Sequence, residues 1–473
     1  MNEKRIFLFF ILTSAILLTI LAFSFNGIGD SGDSIMHYQF ARYAFIRPDN
    51  FFNSWAKPLF VMLAAPFAQL GFTGIKLFNS ANTIIAMVAV YLVARRLNIS
   101  NSWLAPVLLL LAPMSFGLSQ SGLTEPLFAS VLIAGLCLLF YNYSITGLIV
   151  LSFLPFIRSE GLFLLIPILV YLCMQKKYAP ILWLATGQIL YGIIGYFHFH
   201  SLLWFYQSNP YSLVSSYGHG DWIHYFLNMP IIIGPASCYL LAAGFFTIPI
   251  YISKKNTNAY MPLPLMLMWV IFSMYFFFHV IAWRFGLFSS YGMVRIIAGV
   301  TPLIAILATY GYNKTEELIK HILKNKNGIG RYCIALVLVM NVIYLLVKIN
   351  GNPGASGIGL TPSADQVIEN KMAEYIKMKY ADYKKLPIFF NAPYISLALD
   401  LDPTGTSNNP MATKQDGNYL PNSLYIWDDW FSVVEGKTTL ESVTSNNTLK
   451  KDTAFSQIDK GGKLRTVVLF RKL

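Results

Sequence analysis

The sequence is poor in charged residues, and this scarcity is the first constraint on its class. Only 12% of the 473 residues are Asp, Glu, Lys or Arg, whereas 55% are hydrophobic and the mean hydropathy is +0.53. A soluble domain cannot bury so much apolar surface. Long uncharged runs recur from residue 6 to residue 349, each near the ~20 residues that cross a bilayer core. The composition therefore predicts an integral membrane protein.

Several familiar catalytic motifs are absent, and this narrows the chemistry. The chain has no Gly-rich phosphate loop and no HExxH, GxSxG or CxxC motif. All four cysteines lie inside apolar runs, where they read as small core residues rather than disulfides or metal ligands: Cys137, Cys173, Cys238 and Cys333. The net charge of +13 does not indicate nucleic acid, because the basic residues sit in short clusters between apolar runs.

The basic clusters predict the orientation of the chain. With an N-terminus on the cytoplasmic side, every cluster falls on that side, as the positive-inside bias requires; the clusters are Lys4-Arg5, Arg95-Arg96, Lys176-Lys177, Lys254-Lys255 and the basic residues from Lys314 to Arg331. This topology needs about eleven transmembrane helices, at about 6–25, 76–94, 102–119, 124–142, 145–157, 161–175, 180–200, 230–252, 261–281, 296–312 and 332–349. The stretch 58–70 in the first outer loop is too short to cross and favours an interfacial helix.

The composition changes after residue 350. Gly, Pro, Asn and charged residues reach soluble-domain frequency, with helices predicted at 365–380 and 438–443 and strands at 386–390, 423–427 and 465–470. We therefore predict two domains: an all-α multi-span membrane bundle (1–350) and a small external C-terminal α/β domain (351–473).

The few charges of the bundle collect at the outer ends of its predicted spans. Both signs occur there, in Asp30, Asp33, Glu125, Glu160 and Asp221 against Arg42, Arg47, Arg158, Arg284 and Arg295. Charges at membrane depth are costly and usually face a cavity or a partner. Each residue alone is better explained as a helix-end anchor or a member of a local salt bridge. The set as a whole favours a site that takes one substrate from the lipid and another from outside.

A donor sugar carried on a polyprenyl phosphate would need two kinds of group. The leaving phosphate needs cations, and Arg284 or Arg295 suits phosphate oxygens, unless both merely anchor the interface. The acceptor hydroxyl needs a general base, for which Asp33 is the candidate; it could also cap the helix that follows. His37, four residues on, could orient Asp33, touch the phosphate or pack. A divalent metal is possible, but no third ligand is evident nearby.

Two further polar stretches have two interpretations each. His219, Asp221 and His224 form a polar loop that either contacts a substrate or packs on the bundle. Trp427-Asp428-Asp429-Trp430 ends a predicted strand and either stacks on a sugar or forms a turn.

The order of motifs resembles a known family. Asp33-Ser-Ile-Met-His37-Tyr38 lies in the first outer loop, followed by Lys57-Pro58-Leu59, Arg95-Arg96, Leu123-Thr124-Glu125-Pro126 and Ile157-Arg158-Ser159-Glu160-Gly161. This series, over roughly 1–350, is similar to integral-membrane glycosyltransferases of the GT-C fold, in the group of dolichyl-phosphate-mannose mannosyltransferases and aminoarabinose transferases. Many members have a second acid after the first; here Ser34 stands there. Lys57-Pro58 matches a Lys-Pro-Pro pattern only in part.

The resemblance implies a helical bundle with two interfacial helices in the first outer loop. It also implies inverting sugar transfer from a polyprenyl-phosphate donor to a glycan, lipid or protein acceptor. The acid that the family has in this loop corresponds to Asp33. The expected location is a bacterial inner membrane. The other residues expected to contact substrate are Arg42, Glu125, Arg158, Glu160, His219, Asp221, Arg284 and Arg295. Two rival functions remain open: a transporter or flippase of a lipid-linked glycan, and an assembly factor that has lost activity.

Overall fold

The fold is a helical bundle followed by a small α/β unit. A computed structural model describes residues 3–253, 263–323, 329–349, 359–404 and 421–472. The predicted Lys254-Lys255 cluster, Lys324, Lys326 and the domain boundary at 350/351 lie outside these ranges.

The bundle consists of sixteen α-helices within the described ranges: α1 (Glu3–Ser24), α2 (Asp33–Tyr43), α3 (Pro58–Ala68), α4 (Phe72–Arg96), α5 (Leu104–Leu111), α6 (Pro113–Leu118), α7 (Glu125–Phe140), α8 (Ser144–Ser152), α9 (Gly161–Met174), α10 (Thr186–Phe199), α11 (Trp204–Gln207), α12 (His224–Ile233), α13 (Pro235–Ser253), α14 (Leu263–Phe285), α15 (Thr301–Ile322) and α16 (Ile329–Ile349). Short 3-10 helices span Pro48–Phe52, Leu154–Phe156, Ala179–Ala185 and Val294–Val300.

The bundle belongs in a membrane, although the count of spans differs from the prediction. Within the described ranges, six helices are long and apolar enough to cross a bilayer, or seven if α12 and α13 form one span. The helices α7 and α9 and the segment Ser144–Phe156 are apolar but shorter. The predicted number of about eleven spans is therefore not confirmed.

Two predicted spans are broken, and local backbone chemistry explains both breaks. The span predicted at 230–252 bends by 116° between α12 and α13. The bend occurs at Gly234, whose φ of 87° is a backbone angle that residues with a side chain rarely adopt. The span predicted at 102–119 is interrupted at Ala112, which is extended (ψ 113°). Ala112 precedes Pro113, and a residue before proline avoids the α region.

The C-terminal unit contains one mixed sheet in the order β1-β2-β4-β3, where β1 is Ile388–Phe390, β2 Leu424–Asp428, β3 Leu449–Ile458 and β4 Leu464–Lys472. Four helices accompany it: α17 (Ala364–Lys379), α18 (Pro393–Leu399), α19 (Phe431–Val434) and α20 (Leu440–Thr444). The three predicted strands and two predicted helices are present within a few residues. Strand β3, α18 and α19 were not predicted.

Side chains of the inner strand β2 point alternately to the two faces of the sheet, and an apolar core forms on each face. Leu424 and Ile426 of β2 pack with α17 and α18 on one face, and Tyr425 and Trp427 pack on the other. The edge strand β3 is mostly solvent-exposed, which explains why its hydrophobic pattern was too weak to predict it.

The C-terminal unit is attached to the loop between α1 and α3 by several contacts. Arg47 Nε lies 2.5 Å from Asp402 Oδ2, and Arg42 Nη2 lies 2.7 Å from Asp400 Oδ1. Gly27 N donates to the carbonyl of Leu360. These contacts place the sheet over one end of the bundle, beside α2.

Candidate active site

A cavity of about 850 Å³ lies where that end of the bundle meets the C-terminal unit. The first loop, the starts of α7 and α9, and the segment before α15 supply its lower wall, while α17 and the turn after β2 supply its roof. Its ionisable lining residues are Asp30, Asp33, His37, Lys57, Glu125, Arg158, Glu160, Tyr206, Tyr211, Tyr217, His279, Tyr291, Arg295, Asp365, Glu369, Asp428, Asp429, Glu435 and Arg465.

Asp33 is the first residue of α2 and lies in this cavity. Its Oδ2 accepts a hydrogen bond from Arg295 Nη2, and Arg295 Nη1 lies 3.5 Å from Asp30 Oδ2. Asp33 does not serve as the N-cap, which is Gly32. The neighbouring Asp30 Oδ1 instead accepts the backbone N–H of Gly32 (2.8 Å) and Ser34 (3.4 Å). The Asp33 carboxylate is therefore free of the local capping role.

His37 is held by the loop that follows α2. Its Nδ1 lies 3.2 Å from the carbonyl oxygen of Ala56, and its ring stacks on Trp55 with the centroids 4.8 Å apart. Burial, together with the charge of Arg295, lowers the pKa of His37 to about 3. The ring is therefore neutral near pH 7, with its hydrogen on Nδ1 and Nε2 left as an acceptor.

A buried ionic network forms the floor of the cavity. Arg158 Nη1 lies 2.9 Å from Glu125 Oε1, and Arg158 Nη2 lies 3.0 Å from Glu160 Oε1. Thr124 Oγ1 also accepts from Arg158, at 3.3 Å. His279 Nε2 lies 3.7 Å from Glu160 Oε1. The network thus connects the spans predicted at 124–142 and 261–281 to the break between those predicted at 145–157 and 161–175, with two carboxylates around one guanidinium.

Lys57 is the cation in this cavity whose direct hydrogen-bond partner is neutral. It is only 5% exposed, its Nζ donates to Ser159 Oγ at 3.0 Å, and it lies 4.8 Å from the ring centroid of Tyr211. Burial lowers its pKa to about 8, against the opposing effect of Glu160. At neutral pH Lys57 is therefore mostly charged, although it lacks a carboxylate in direct contact.

Four predicted site residues lie away from the cavity lining. Arg42 is paired with Asp400. His219 and Asp221 are exposed, and Arg284 Nη1 lies 3.4 Å from the carbonyl oxygen of Gly220. His224 lies near them, with Nε2 2.7 Å from the carbonyl oxygen of Gly292. The loop from His219 to His224 is thus built mainly by packing against the end of α14.

The roof of the cavity contains one of the two tryptophans that the sequence offered for sugar stacking. Trp430 lines the cavity, whereas Trp427 is buried and donates its Nε1–H to the Thr438 carbonyl. Glu369 and Arg465, which have no role in the predictions from sequence, also line it. One signal pointed to Glu369: it occupies the same helical stripe as Ala373 and Ile376, so an acid stands at a core position. Lys57 is a similar case outside the roof: a lysine directly before an apolar helix is also a charged residue at a position expected to be buried.

Within the described ranges, no group of three or more His, Cys, Asp or Glu side chains is arranged to hold a metal ion. Asp33 and His37 do not acquire a third ligand, and each has a protein partner of its own.

The fold matches one class of membrane protein, the GT-C fold. The structure is similar to ArnT from Cupriavidus metallidurans bound to undecaprenyl phosphate, with a TM-score of 0.62 at 12% identity, covering 98% of this chain and 97% of that one. ArnT in the apo state gives a TM-score of 0.61 at 12% identity, with 99% and 98% covered.

A second protein shares the fold less completely. The oligosaccharyltransferase of Archaeoglobus fulgidus, in complex with Zn and sulfate, gives a TM-score of 0.51 at 12% identity, covering 85% of this chain and 62% of that one. No family model and no curated protein sequence matches the chain. The expected GT-C fold is therefore confirmed by structure, in an integral membrane protein.

Proposed function

We propose that the protein is a glycosyltransferase that moves a sugar from a polyprenyl-phosphate-linked donor to an acceptor hydroxyl. The observation that carries this proposal is the cavity itself: it combines a carboxylate free of capping duties, Asp33, with buried cations at one end of a GT-C bundle. Catalysis of this transfer needs a base at the acceptor and positive charge at the leaving phosphate, and both are present in one space.

The lower wall of the cavity suits a lipid-borne donor. Leu162 and Phe163 of α9 and Phe278 of α14 line it, and Leu162 and Phe163 are each 42% exposed on the bundle. The apolar wall therefore continues onto the surface that would face lipid. A polyprenyl chain in the bilayer would reach the cavity along this path. The structurally similar ArnT was solved bound to undecaprenyl phosphate.

Lys57 is the group proposed to hold the donor phosphate. Arg158 is already neutralised by Glu125 and Glu160, and Arg295 by Asp30 and Asp33. Lys57 contacts a hydroxyl, so its charge remains available to an anion. Of the two arginines considered from the sequence, Arg295 lines the cavity and can approach the phosphate, whereas Arg284 does not line it.

Asp33 is the proposed general base. The acceptor oxygen attacks the anomeric carbon, its proton passes to the Asp33 carboxylate, and the carbon–oxygen bond to the phosphate breaks with its electron pair leaving on phosphate oxygen. A single displacement of this kind inverts the anomeric configuration. The hydrogen bond from the Arg295 guanidinium orients the Asp33 carboxylate, and Lys57 stabilises the departing phosphate.

The proposed orientation places this site on the outer side of a bacterial inner membrane. Phe7 of α1 stacks on Tyr91 of α4 with ring centroids 3.6 Å apart, so the start of α1 lies beside the end of α4. The basic pairs Lys4-Arg5 and Arg95-Arg96 therefore share one end of the bundle, away from the cavity. The positive-inside bias makes that end cytoplasmic.

The test is sugar transfer by the full-length protein in nanodiscs, supplied with polyprenyl-phosphate sugars and membrane-derived acceptors. Asp33→Asn should lower the transfer rate at least 100-fold while radiolabelled undecaprenyl phosphate still binds. Asp49→Asn is the matched control, because Asp49 lies in the same loop with its side chain 84% exposed. Transfer by Asp33→Asn at the wild-type rate would exclude this base, and translocation of lipid-linked glycan without transfer would favour a flippase.

A further inference from the structure

Glu369 is a buried carboxyl group whose position points to a ligand. It lies on α17, is 3% exposed, and lines the roof of the large cavity. Its Oε2 has no hydrogen-bond partner among the residues that the structure describes. A buried polar atom without a partner is costly, so its place at the cavity is explained if a bound molecule supplies the missing hydrogen bond.

The surroundings of Glu369 favour its protonated, neutral form. Burial raises its pKa well above the ordinary range, and the nearby carboxylates of Asp428, Asp365 and Asp429 raise it further. A protonated carboxyl group both donates and accepts a hydrogen bond. A hydroxyl group has the same two capacities, so the two are natural partners.

The other acids of the roof already have partners. Asp428 accepts the backbone N–H of Trp430 (3.0 Å), Phe431 (2.5 Å) and Ser432 (3.1 Å). It therefore shapes the turn after β2 rather than offering its charge to a ligand.

Of the three remaining acids, Glu435 accepts a hydrogen bond from the Tyr217 hydroxyl at 3.2 Å, and one arginine contacts the other two. Arg465 Nε lies 3.2 Å from Asp365 Oδ1, and Arg465 Nη1 lies 3.7 Å from Asp429 Oδ2. The roof thus contains five carboxyl groups (Asp365, Glu369, Asp428, Asp429 and Glu435) and one arginine, which also lies 3.2 Å from Asp459 Oδ2. An anionic ligand would meet repulsion here, and a cationic one would find no carboxylate without a partner.

Aromatic surface lies next to these groups. Trp430 and Phe431 line the same roof, with ring centroids 4.5 Å apart. Aromatic rings offer apolar faces to C–H groups, while Glu369 offers a hydrogen bond, and a pocket that combines the two suits a sugar ring.

We propose that the roof binds the acceptor through a neutral, polyhydroxylated glycan and excludes phosphorylated or carboxylated ones, with Glu369 as a specificity-determining residue. This inference rests on the proposed transfer reaction, for which it names the class of acceptor. The donor phosphate would bind at the opposite wall, beside Lys57, so the two substrates would enter regions of different electrostatic character.

The test measures binding of methyl hexopyranosides and of their 6-phosphates to the full-length protein in nanodiscs, by saturation-transfer NMR. The neutral glycosides should bind at least tenfold more tightly than their phosphates. Glu369→Leu should weaken the neutral glycosides at least tenfold, whereas Glu369→Gln, which keeps a donor and an acceptor, should stay within threefold. Glu374→Leu is the control, since Glu374 is exposed on the same helix and should change nothing.

The possible results separate this inference from the function on which it rests. Equal binding of glycosides and phosphates, no binding of any neutral glycoside, or wild-type binding by Glu369→Leu would each overturn it. The comparison of neutral and phosphorylated glycosides uses the wild-type protein, so it stands even if a variant misfolds. Undecaprenyl phosphate is measured separately: failure of the wild type to bind it would contradict the donor chemistry and leave the glycoside result valid.

Discussion

Replacing Arg158 with Met should destabilise the bundle strongly. The guanidinium makes two charged contacts, at 2.9 Å with Glu125 and 3.0 Å with Glu160, and the side-chain exposures are 14%, 3% and 17%. A hydrogen bond to a charged group contributes ~1.5–3 kcal/mol, and breaking a buried ion pair costs ~3–5 kcal/mol because a charge is stranded. We therefore expect Arg158→Met to lower the free energy of unfolding by about 4 kcal/mol.

The stranded charges, rather than the lost packing, should account for most of that change. The triple variant Arg158→Met, Glu125→Gln, Glu160→Gln removes them and should lie within about 1–2 kcal/mol of the wild type. The assay is reversible unfolding in mixed micelles with increasing SDS. As a control, Lys385→Met breaks an ion pair with Asp382 whose side chains are 79% and 75% exposed, and should have little effect. A loss below about 1 kcal/mol for Arg158→Met, or equal losses for the single and triple variants, would refute this reasoning.

Three further results are expected. Affinity for undecaprenyl phosphate should fall as pH rises through about 8, because burial lowers the pKa of Lys57 to that value and the charged ammonium is lost above it. Lys57→Met should bind the lipid weakly and without this pH dependence. A Lys57→Met variant with the wild-type pH profile would contradict the role of Lys57. Arg47→Glu should increase hydrogen exchange in the C-terminal unit, and adding Asp402→Arg should restore protection by reversing the pair; equal exchange in all variants would argue against this attachment. Gly122→Ala should lower the free energy of unfolding by ~1–3 kcal/mol, because a Cβ there would lie 2.2 Å from the Ser34 carbonyl oxygen; a variant as stable as the wild type would exclude that clash.

The sequence predicts the class of fold well because hydropathy and charge position are strong signals. The GT-C fold follows from the motifs around Asp33, Glu125 and Arg158, and the structure brings all three to one cavity. The bend at Gly234 and the break before Pro113 were not predicted, since apolar runs continue through both. Hydropathy indicates burial in lipid but gives no information on such breaks in the helix.

The site was predicted less completely, for a physical reason. Arg284 and Arg295 flank the same loop and looked equivalent, yet Arg295 reaches Asp33 while Arg284 lies by the carbonyl of Gly220. Which arginine faces the cavity depends on the path of the loop between them. Glu369 lies more than 300 residues from Asp33 in the chain, and only tertiary structure could place both in one cavity.

The central claim is that the cavity receives a lipid-borne phosphate at Lys57, within reach of Asp33. Its most direct test is an experimental density map of the full-length protein in nanodiscs containing undecaprenyl phosphate. The account predicts phosphate density within hydrogen-bond distance of Lys57 Nζ, with the polyprenyl chain leaving past Leu162 and Phe163. Phosphate density at the end of the bundle that carries Arg95 and Arg96, or a bound lipid whose phosphate does not contact Lys57, would contradict it.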